Sequence, residues 1–202
     1  MFLVWFVKIT AAPFLLLFFK LKLRGKKRVG KIQGKTIIIA NHTSTWDAVL
    51  MNYIFPTKRI YFMTADRMFT FTPIFSWFLK VLGAFPTHRD RTDLSAISSG
   101  TNILIKEKIL GIFPEGKRSL NNEMLKFKPG VALLALNNNA PIIPIYHTGK
   151  YGFFHQKKAV VGERIYLSDY CSEKHPSEAT VRSLCTMIEQ KMELLRVEAE
   201  RL

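Results

Sequence analysis

Residues 36–47 read TIIIANHTSTWD and join a short apolar run to a histidine and an acid. The run Thr36–Ala40 is continuous and mostly β-branched, which is the pattern of a strand buried on both faces. Strands of that kind belong to parallel sheets whose two faces are covered by helices. The polar residues that follow therefore lie at the carboxyl end of a strand, where parallel sheets bind their ligands.

Short apolar runs and helical patterns alternate along the rest of the chain. Further strands are predicted at residues 59–64, 109–113, 142–147 and 159–167. Helices are predicted at residues 45–54, 67–82, 93–108 and 130–139, with a last helix after Pro176 and Ser177. This alternation predicts an α/β fold with a mainly parallel sheet flanked by helices. A chain of 202 residues has room for one such domain.

The chain is strongly basic, with 30 Lys and Arg against 15 Asp and Glu. No acid precedes Asp47, so the excess charge belongs to the N-terminal and middle parts. Such a field attracts polyanions: nucleic acid, an anionic bilayer surface or phosphorylated small molecules. Charge alone does not choose among them. A content of 48% hydrophobic residues excludes a disordered chain.

Residues 1–19 are apolar apart from Lys8 and Thr10. They just reach the length of about 20 residues that a spanning helix needs, although Lys8 and Pro13 lie in the middle. Seven Lys and Arg follow between residues 20 and 31, a cluster that anionic lipid attracts. We expect residues 1–31 to attach the chain to the cell membrane, by spanning it or by lying in its interface. Residues 32–202 then form the folded domain on the cytoplasmic face. The alternative is a buried N-terminal core helix.

His42 and Asp47 form the first candidate site. A histidine in a strand-to-helix loop is exposed to whatever binds there, and an acid five residues on can fold back onto its ring. The imidazole can then take a proton from a hydroxyl, while the carboxylate fixes the tautomer and stabilises the imidazolium. The alternative is an ordinary loop histidine beside a helix-capping acid.

The second candidate site is residues 111–119, GIFPEGKRS, where a predicted strand ends in a turn. The turn carries Glu115, then the adjacent cations Lys117 and Arg118, then Ser119. A tight turn whose backbone approaches a ligand, with an arginine at its exit, suits bidentate binding of phosphate. The alternative is a solvated turn without a ligand.

Together the two segments resemble the glycerophospholipid acyltransferase family, which includes the 1-acylglycerol-3-phosphate O-acyltransferases. The resemblance is carried by His-x4-Asp at residues 42–47 and by Phe-Pro-Glu-Gly-x-Arg-Ser at residues 113–119. Three further blocks fit, at residues 83–89 (GAFPTHR), 127–130 (FKPG) and 141–145 (PIIPI). The blocks stand in the family's order and cover about residues 34–165.

The resemblance implies acyl transfer without a covalent acyl-enzyme. His42, oriented by Asp47, would deprotonate the acceptor hydroxyl, which attacks the thioester of acyl-CoA or of an acyl carrier protein. The implied acceptor is lysophosphatidic acid and the product phosphatidic acid; another lysophospholipid or glycerol-3-phosphate is the alternative acceptor. No metal and no cofactor are implied beyond the thioester co-substrate.

The resemblance also implies a cationic site for the acceptor's phosphate. Its expected residues are Arg89, Lys117, Arg118 and Lys128, beside the turn residues Glu115, Gly116 and Ser119. Glu115 is expected to orient the acceptor or the neighbouring cations. Lys117 stands where the family usually has Thr, and His88 where it usually has an acid, so both departures bear on the preferred acceptor.

Few other residues suggest metal or redox chemistry. Cys171 and Cys185 lie 14 residues apart, match neither a disulfide framework nor a metal site, and predict reduced, non-catalytic thiols. His88, His147 and His155 lack a ligand-like spacing and are interpreted as structural or surface residues.

Ten aromatic side chains lie between Tyr53 and Phe85. They predict an acyl-chain groove or a face that dips into the bilayer, or else plain core packing. Two other classes of protein stay open: a basic nucleic-acid-binding protein and a lipid-binding relative without catalysis. The first leaves the apolar N-terminus and the His42–Asp47 pair unexplained. We therefore expect a lysophospholipid, an acyl donor and an anionic membrane surface as partners, and no nucleic acid.

Overall fold

The computed structural model describes residue 18 and residues 20–87, 93–121, 123–153, 155–173 and 176–202. The apolar segment of residues 1–19, predicted to attach to a membrane, lies outside the described residues apart from Phe18. His88 and Arg89 also lie outside them.

Seven strands form one sheet in the described part of the chain. They are β1 (Lys22–Arg24), β2 (Thr36–Ala40), β3 (Ile60–Ala65), β4 (Ala84–Thr87), β5 (Ile109–Ile112), β6 (Ile142–Thr148) and β7 (Lys158–Val161). Their spatial order is β1-β7-β6-β2-β5-β3-β4, and every neighbouring pair is parallel except β6 and β7. The predicted mainly parallel α/β sheet is confirmed, with β2 at its centre.

Helices cover both faces of this sheet. They are α1 (Asp47–Ile54), α2 (Pro73–Val81), α3 (Asp93–Leu104), α4 (Gly130–Asn138) and α5 (Glu178–Glu200). Ile37 and Ile39 of β2 pack into one hydrophobic core with α4 and α5, whereas Ile38 and Ala40 pack into a second core with α1. No residue of β2 has exposed surface, which explains why its sequence is apolar without alternation. Among the described helices, none combines the length and the apolar composition that a membrane span requires.

Three predicted elements were too long by more than two residues. The helix predicted at residues 93–108 ends at Leu104. The helix predicted at residues 67–82 begins only at Pro73, because Asp66–Thr70 forms a 3₁₀ turn first. The hydroxyl of Thr72 accepts a hydrogen bond from the Phe75 N–H at 3.1 Å and caps the helix. Proline favours the first helical position because its missing N–H would have no partner there.

The strand predicted at residues 159–167 ends at Val161. Its antiparallel partner β6 has Pro144 at the next position, and proline has no N–H to continue the ladder. The chain then makes one isolated bridge, from Ile165 to Ile142, and enters a 3₁₀ turn at Leu167–Asp169.

The two edge strands, β1 and β4, were not predicted. Each has only three or four residues, and β1 is basic while β4 contains Pro86, so neither shows an apolar run. Lysine and proline are common at sheet edges because they discourage pairing with another chain. Since β1 precedes the predicted boundary at residue 31, the sheet begins inside the segment expected to attach to the membrane. The attachment itself stays a prediction.

Candidate active site

His42 and Asp47 are in contact at the carboxyl end of β2. The His42 Nδ1 atom lies 2.9 Å from Asp47 Oδ2, and Asp47 is the buried first residue of α1. The same oxygen accepts hydrogen bonds from the backbone N–H groups of Thr43 and Ser44, at 2.7 and 2.8 Å. The carboxylate therefore shapes the loop that carries the histidine as well as orienting its ring.

The ring of His42 is held so that one nitrogen is left for a substrate. Because Nδ1 faces an anionic oxygen, it carries the proton, and Nε2 is the basic nitrogen. The ring stacks on Phe113, with centroids 4.1 Å apart and planes inclined by 14°, and Phe113 stacks in turn on Phe62. The His42 side chain keeps 20% of its surface exposed and lines a cavity of about 240 Å³.

The second oxygen of Asp47 has partners that lie a hundred or more positions further along the chain. The Tyr151 hydroxyl donates to Oδ1 at 2.6 Å, and His147 Nε2 lies 3.4 Å from the same atom. The side-chain amide of Asn41 makes two hydrogen bonds of 3.0 Å with the backbone of His147, and His147 Nε2 lies 3.0 Å from the Asn41 carbonyl oxygen. The loop after β2 is thereby fixed to the end of β6.

These contacts set the charge of the buried acid. Burial by itself would raise the pKa of Asp47, but the interactions with His42, His147 and Tyr151 outweigh burial and lower that pKa from 3.8 to about 2. Asp47 is therefore an anion at neutral pH. Burial lowers the pKa of His147 to about 4 despite the nearby Asp47, so His147 is neutral under the same conditions.

The turn after β5 is bonded to the same histidine loop. β5 lies beside β2 in parallel register, so the two strands end together. Glu115 accepts a hydrogen bond from the His42 N–H at 2.9 Å through one carboxylate oxygen and from the Leu125 N–H at 3.1 Å through the other. The Ser119 N–H donates to the His42 carbonyl oxygen at 2.8 Å. Both backbone groups of His42 are therefore held by this turn. Burial raises the pKa of the Glu115 carboxyl.

The cavity beside His42 combines an apolar lining with a cation. Its apolar side chains come from β3, β5, α3 and α4 and include Met63, Ala65, Ile97, Ile112, Val131 and Leu134. Gly116 and Lys128 lie at the same cavity. Within the ranges that the structure describes, no three His, Cys, Asp or Glu side chains are arranged to hold a metal ion.

A family model matches the part of the chain that contains these contacts. Residues 20–148, which include the His42–Asp47 pair and the Glu115 turn, match the model for the Acyltransferase family. The chain belongs to the acyltransferase family. A curated relative from Streptococcus pneumoniae, named 1-acyl-sn-glycerol-3-phosphate acyltransferase, is 36% identical over 114 residues, which are 56% of this chain. A relative of the same name from Bacillus subtilis is 26% identical over 171 residues, 82% of this chain and 83% of the relative.

The fold is also that of a solved acyltransferase. The crystal structure of a 1-acyl-sn-glycerophosphate (LPA) acyltransferase from Thermotoga maritima matches with a TM-score of 0.68. The match has 19% sequence identity and covers 98% of this chain and 78% of that one. The match covers only 41% of the length of the relative from Streptococcus pneumoniae. The rest of that relative has no counterpart in the match.

The acyltransferase fold brings most of the predicted site residues to one place. Gly116 has a φ of +69°, a left-handed conformation that favours glycine, and a Cβ there would come within 2.7 Å of the Lys128 side chain. The stem of Lys128 therefore lies across the turn. Arg118 and Lys117 are exposed, and Arg118 immediately precedes the Ser119 N–H that binds His42. Arg89 lies outside the described residues.

Glu115 has contacts that its sequence did not predict. Both carboxylate oxygens accept hydrogen bonds from backbone amides, and the expected orientation of the acceptor or the neighbouring cations by Glu115 stays a prediction. What it orients in this structure is the backbone of His42. The turn sequence gives no sign of this, because the amide of His42 meets Glu115 only through the pairing of β2 with β5.

Three further residues of the site were missed. Phe113 stands inside the predicted turn motif, and its stacking on His42 was not anticipated. Tyr151 and His147 contact Asp47 from the end of β6 and the loop that follows. His147 was interpreted as a structural or surface residue; it is buried, and it lies beside Asp47. The contacts of Tyr151 and His147 with Asp47 follow from the pairing of β6 with β2, which the sequence does not specify.

Proposed function

We propose that the protein transfers a fatty acyl group from a thioester to the sn-2 hydroxyl of lysophosphatidic acid and so forms phosphatidic acid. The observation that carries this proposal is the hydrogen bond between His42 and Asp47 at a cavity that is lined mainly by apolar residues and that Lys128 also lines. The family of the chain supports acyl transfer, and the names of the bacterial relatives support the acceptor.

The proposed reaction uses His42 as a general base. Its Nε2 takes the proton of the acceptor hydroxyl while the hydroxyl oxygen forms a bond to the thioester carbonyl carbon. The Asp47 anion stabilises the imidazolium that results, and general-base help of this kind is worth about 10²–10⁴-fold in rate. The tetrahedral adduct then breaks its C–S bond, and the imidazolium returns the proton to the departing thiolate. The products are an ester and a free thiol, and no acyl-enzyme forms.

The cations around the Glu115 turn are proposed to bind the acceptor's phosphate. Arg118 is exposed and adjoins the backbone contact with His42, so a phosphate that it holds stands near the base. Its planar guanidinium suits bidentate binding of phosphate oxygens. Lys117 and Lys128 add positive charge, and Arg89 is assigned to the same task on its sequence block. Acyl-CoA or an acyl carrier protein supplies the thioester, and no metal or other cofactor is needed.

The membrane is proposed as the place of the reaction, with the domain on its cytoplasmic face. Residues 1–31 provide one attachment. A second contact is proposed at an apolar surface formed by Phe71, Ile74 and Trp77, whose side chains are 71%, 80% and 48% exposed. Core packing therefore does not account for Phe71 and Trp77, although it does for Phe62, which is 4% exposed. In sequence this surface follows β3, whose Ala65 lines the cavity beside His42.

One experiment tests the proposed function and its rivals together. The purified full-length chain is mixed with acyl-CoA or acyl-carrier protein and a panel of lysophospholipids and glycerol-3-phosphate, and thiol release is followed. We expect one thiol per phosphatidic acid formed, with lysophosphatidic acid the best acceptor. A better rate with glycerol-3-phosphate would contradict the assigned acceptor. Binding of lysophosphatidic acid without thiol release from any donor would contradict catalysis. Tight, salt-dependent binding to oligonucleotides would instead support a nucleic-acid-binding protein.

A further inference from the structure

Tyr151 joins the end of the N-terminal segment to the catalytic acid. Its hydroxyl donates to Asp47 Oδ1 at 2.6 Å, while its ring lies parallel to the ring of Phe18, with an interplanar angle of 15° and centroids 6.5 Å apart. The next residue, Gly152, approaches the Phe18 carbonyl oxygen with its N–H at 3.4 Å. One side of Tyr151 thus faces the site and the other faces the chain that leaves the apolar segment.

Phe18 also contacts Trp46, which precedes Asp47 in the chain. Its ring lies 4.9 Å, centroid to centroid, from that of Trp46, the residue immediately before Asp47. It also meets Phe153 edge-on at 5.5 Å. Phe18 therefore contacts both the side chain of the residue before Asp47 and the tyrosine that binds the Asp47 carboxylate. A cluster of four aromatic rings connects the apolar segment with the catalytic pair.

The hydroxyl of Tyr151 is a permanent donor. Burial, reinforced by the nearby Asp47, raises the pKa of Tyr151 well above its usual value, so the hydroxyl stays protonated. Lys157 supports the ring from another side: its Nζ lies 3.9 Å from the ring centroid and donates to the Gly149 carbonyl oxygen. Burial lowers the pKa of Lys157 to about 8.

Several titratable groups face the Asp47 carboxylate. Those that face it are His42, His147, Tyr151 and Lys157, with Glu115 further away. The Tyr151 hydrogen bond draws negative charge toward Oδ1 and away from the oxygen that holds His42. Both the position of the carboxylate and the strength of its bond to the base therefore depend on this hydroxyl.

We propose that Tyr151 is a positioning residue for the His42–Asp47 pair and that Phe18 holds Tyr151 in place, so that the rate of acyl transfer depends on how the N-terminal segment is seated. The proposal rests on the proposed function. A displacement of about 1 Å at a catalytic group can cost on the order of 100-fold in rate, so a loosened aromatic cluster acts on kcat. A loosened cluster does not change the affinity for the acceptor, because none of the four aromatic residues belongs to the Glu115 turn that is proposed to bind the phosphate.

The first test removes only the hydroxyl of Tyr151. Tyr151→Phe keeps the ring contacts, and Tyr166→Phe, at an exposed position, is the matched control. We expect kcat to fall about tenfold in Tyr151→Phe with the acceptor KM unchanged. The acid limb of the pH profile of kcat/KM moves to higher pH, because the full charge of Asp47 then stabilises the imidazolium. Tyr166→Phe behaves as wild type. A Tyr151→Phe enzyme with wild-type kcat and pH profile would overturn the proposal.

The second test asks whether Phe18 acts through that hydroxyl. Phe18→Ala and Phe18→Tyr are assayed as full-length proteins in detergent micelles, alone and combined with Tyr151→Phe. We expect Phe18→Ala to lower kcat several-fold, Phe18→Tyr to restore it, and Phe18→Ala to have no further effect once the Tyr151 hydroxyl is gone. Additive losses would mean that Phe18 acts independently, and would overturn the link. A wild-type chain that is inactive with every acceptor defeats the proposed function instead, so the two failures are distinguishable.

Discussion

At the residue scale, the two oxygens of Asp47 have different partners. Oδ2 accepts from His42 and from the N–H groups of Thr43 and Ser44, whereas Oδ1 accepts from Tyr151. All of these groups donate hydrogen bonds. Only a side chain whose two terminal atoms both accept, as in a carboxylate, satisfies all of them. Hydrogen bonds to both oxygens therefore stabilise the negative charge of Asp47, whose side chain has no exposed surface.

Asp47→Asn is expected to lower kcat by about 10²–10⁴-fold, because an amide NH₂ then faces a donor and the His42 ring loses the anion that fixes its tautomer. The change is isosteric, so the acceptor KM should change much less. Thiol release under saturating acceptor measures it. The matched control is Asp169→Asn, at an exposed carboxylate distant from the site in sequence. Activity within about twofold of wild type in Asp47→Asn would contradict the assigned role.

The buried histidine beside Asp47 makes stability depend on pH. The folded pKa of His147 is about 4, below the ordinary histidine value of 6.5, so between these values the unfolded chain binds a proton that the folded chain does not. Its stabilising contribution is therefore complete above pH 6.5 and is lost as the pH falls toward 4, by at most about 1.4 kcal/mol per pH unit. Urea denaturation at several pH values should show this slope in wild type and a smaller one in His147→Gln. Equal slopes would contradict it.

How far the sequence predicts the site depends on which contacts are local. His42 and Asp47 are five residues apart across a strand–helix junction, so their meeting follows from local geometry. Glu115 was placed near them because its turn also ends a strand of the same sheet. Tyr151 and His147 were not placed, because their contact with Asp47 requires β6 to lie beside β2 in one register. Sequence periodicity specifies a buried strand but not its neighbour.

At the element scale, interior and edge strands differ in how well they can be predicted. β2, β5 and β6 are apolar runs because helices cover them on both faces, and each was predicted within a residue or two. β1 and β4 lie at the edges, are short, and carry lysine or proline, so burial leaves no apolar pattern in them. The 3₁₀ turn at Asp66–Thr70 before α2 was not predicted either.

The apolar surface at α2 has a prediction of its own. Phe71→Ser combined with Ile74→Ser should weaken binding of the full-length chain to anionic phospholipid vesicles, because both side chains are mostly exposed and apolar. Activity toward a short-chain, water-soluble acceptor should stay at the wild-type level. Leu194→Ser, which changes a 71% exposed leucine on α5, is the control and should leave vesicle binding unchanged. Unaltered vesicle binding in the double variant would contradict a membrane contact at this surface.

At the scale of the whole molecule, part of the basic N-terminal segment pairs with groups near the C-terminus. The net charge is +15, concentrated in the N-terminal and middle parts, while the acids cluster toward the C-terminus. Arg28 of the basic segment binds Glu198 on α5 at 2.8 Å, and Lys22 donates to the Leu202 carbonyl oxygen at 3.3 Å. Part of the basic segment therefore fastens β1 to the C-terminal helix, and surface pairs of this kind each contribute at most about 1 kcal/mol.

The most direct test of the catalytic proposal is thiol release by His42→Ala, compared with His155→Ala, which changes an exposed histidine. Both full-length variants are assayed with lysophosphatidic acid and the preferred acyl donor, and their thermal transitions are compared with that of wild type. We expect His42→Ala to lose at least about 100-fold in kcat while it melts like the wild-type chain, and His155→Ala to keep full activity. A folded His42→Ala chain that releases thiol at the wild-type rate would contradict the account.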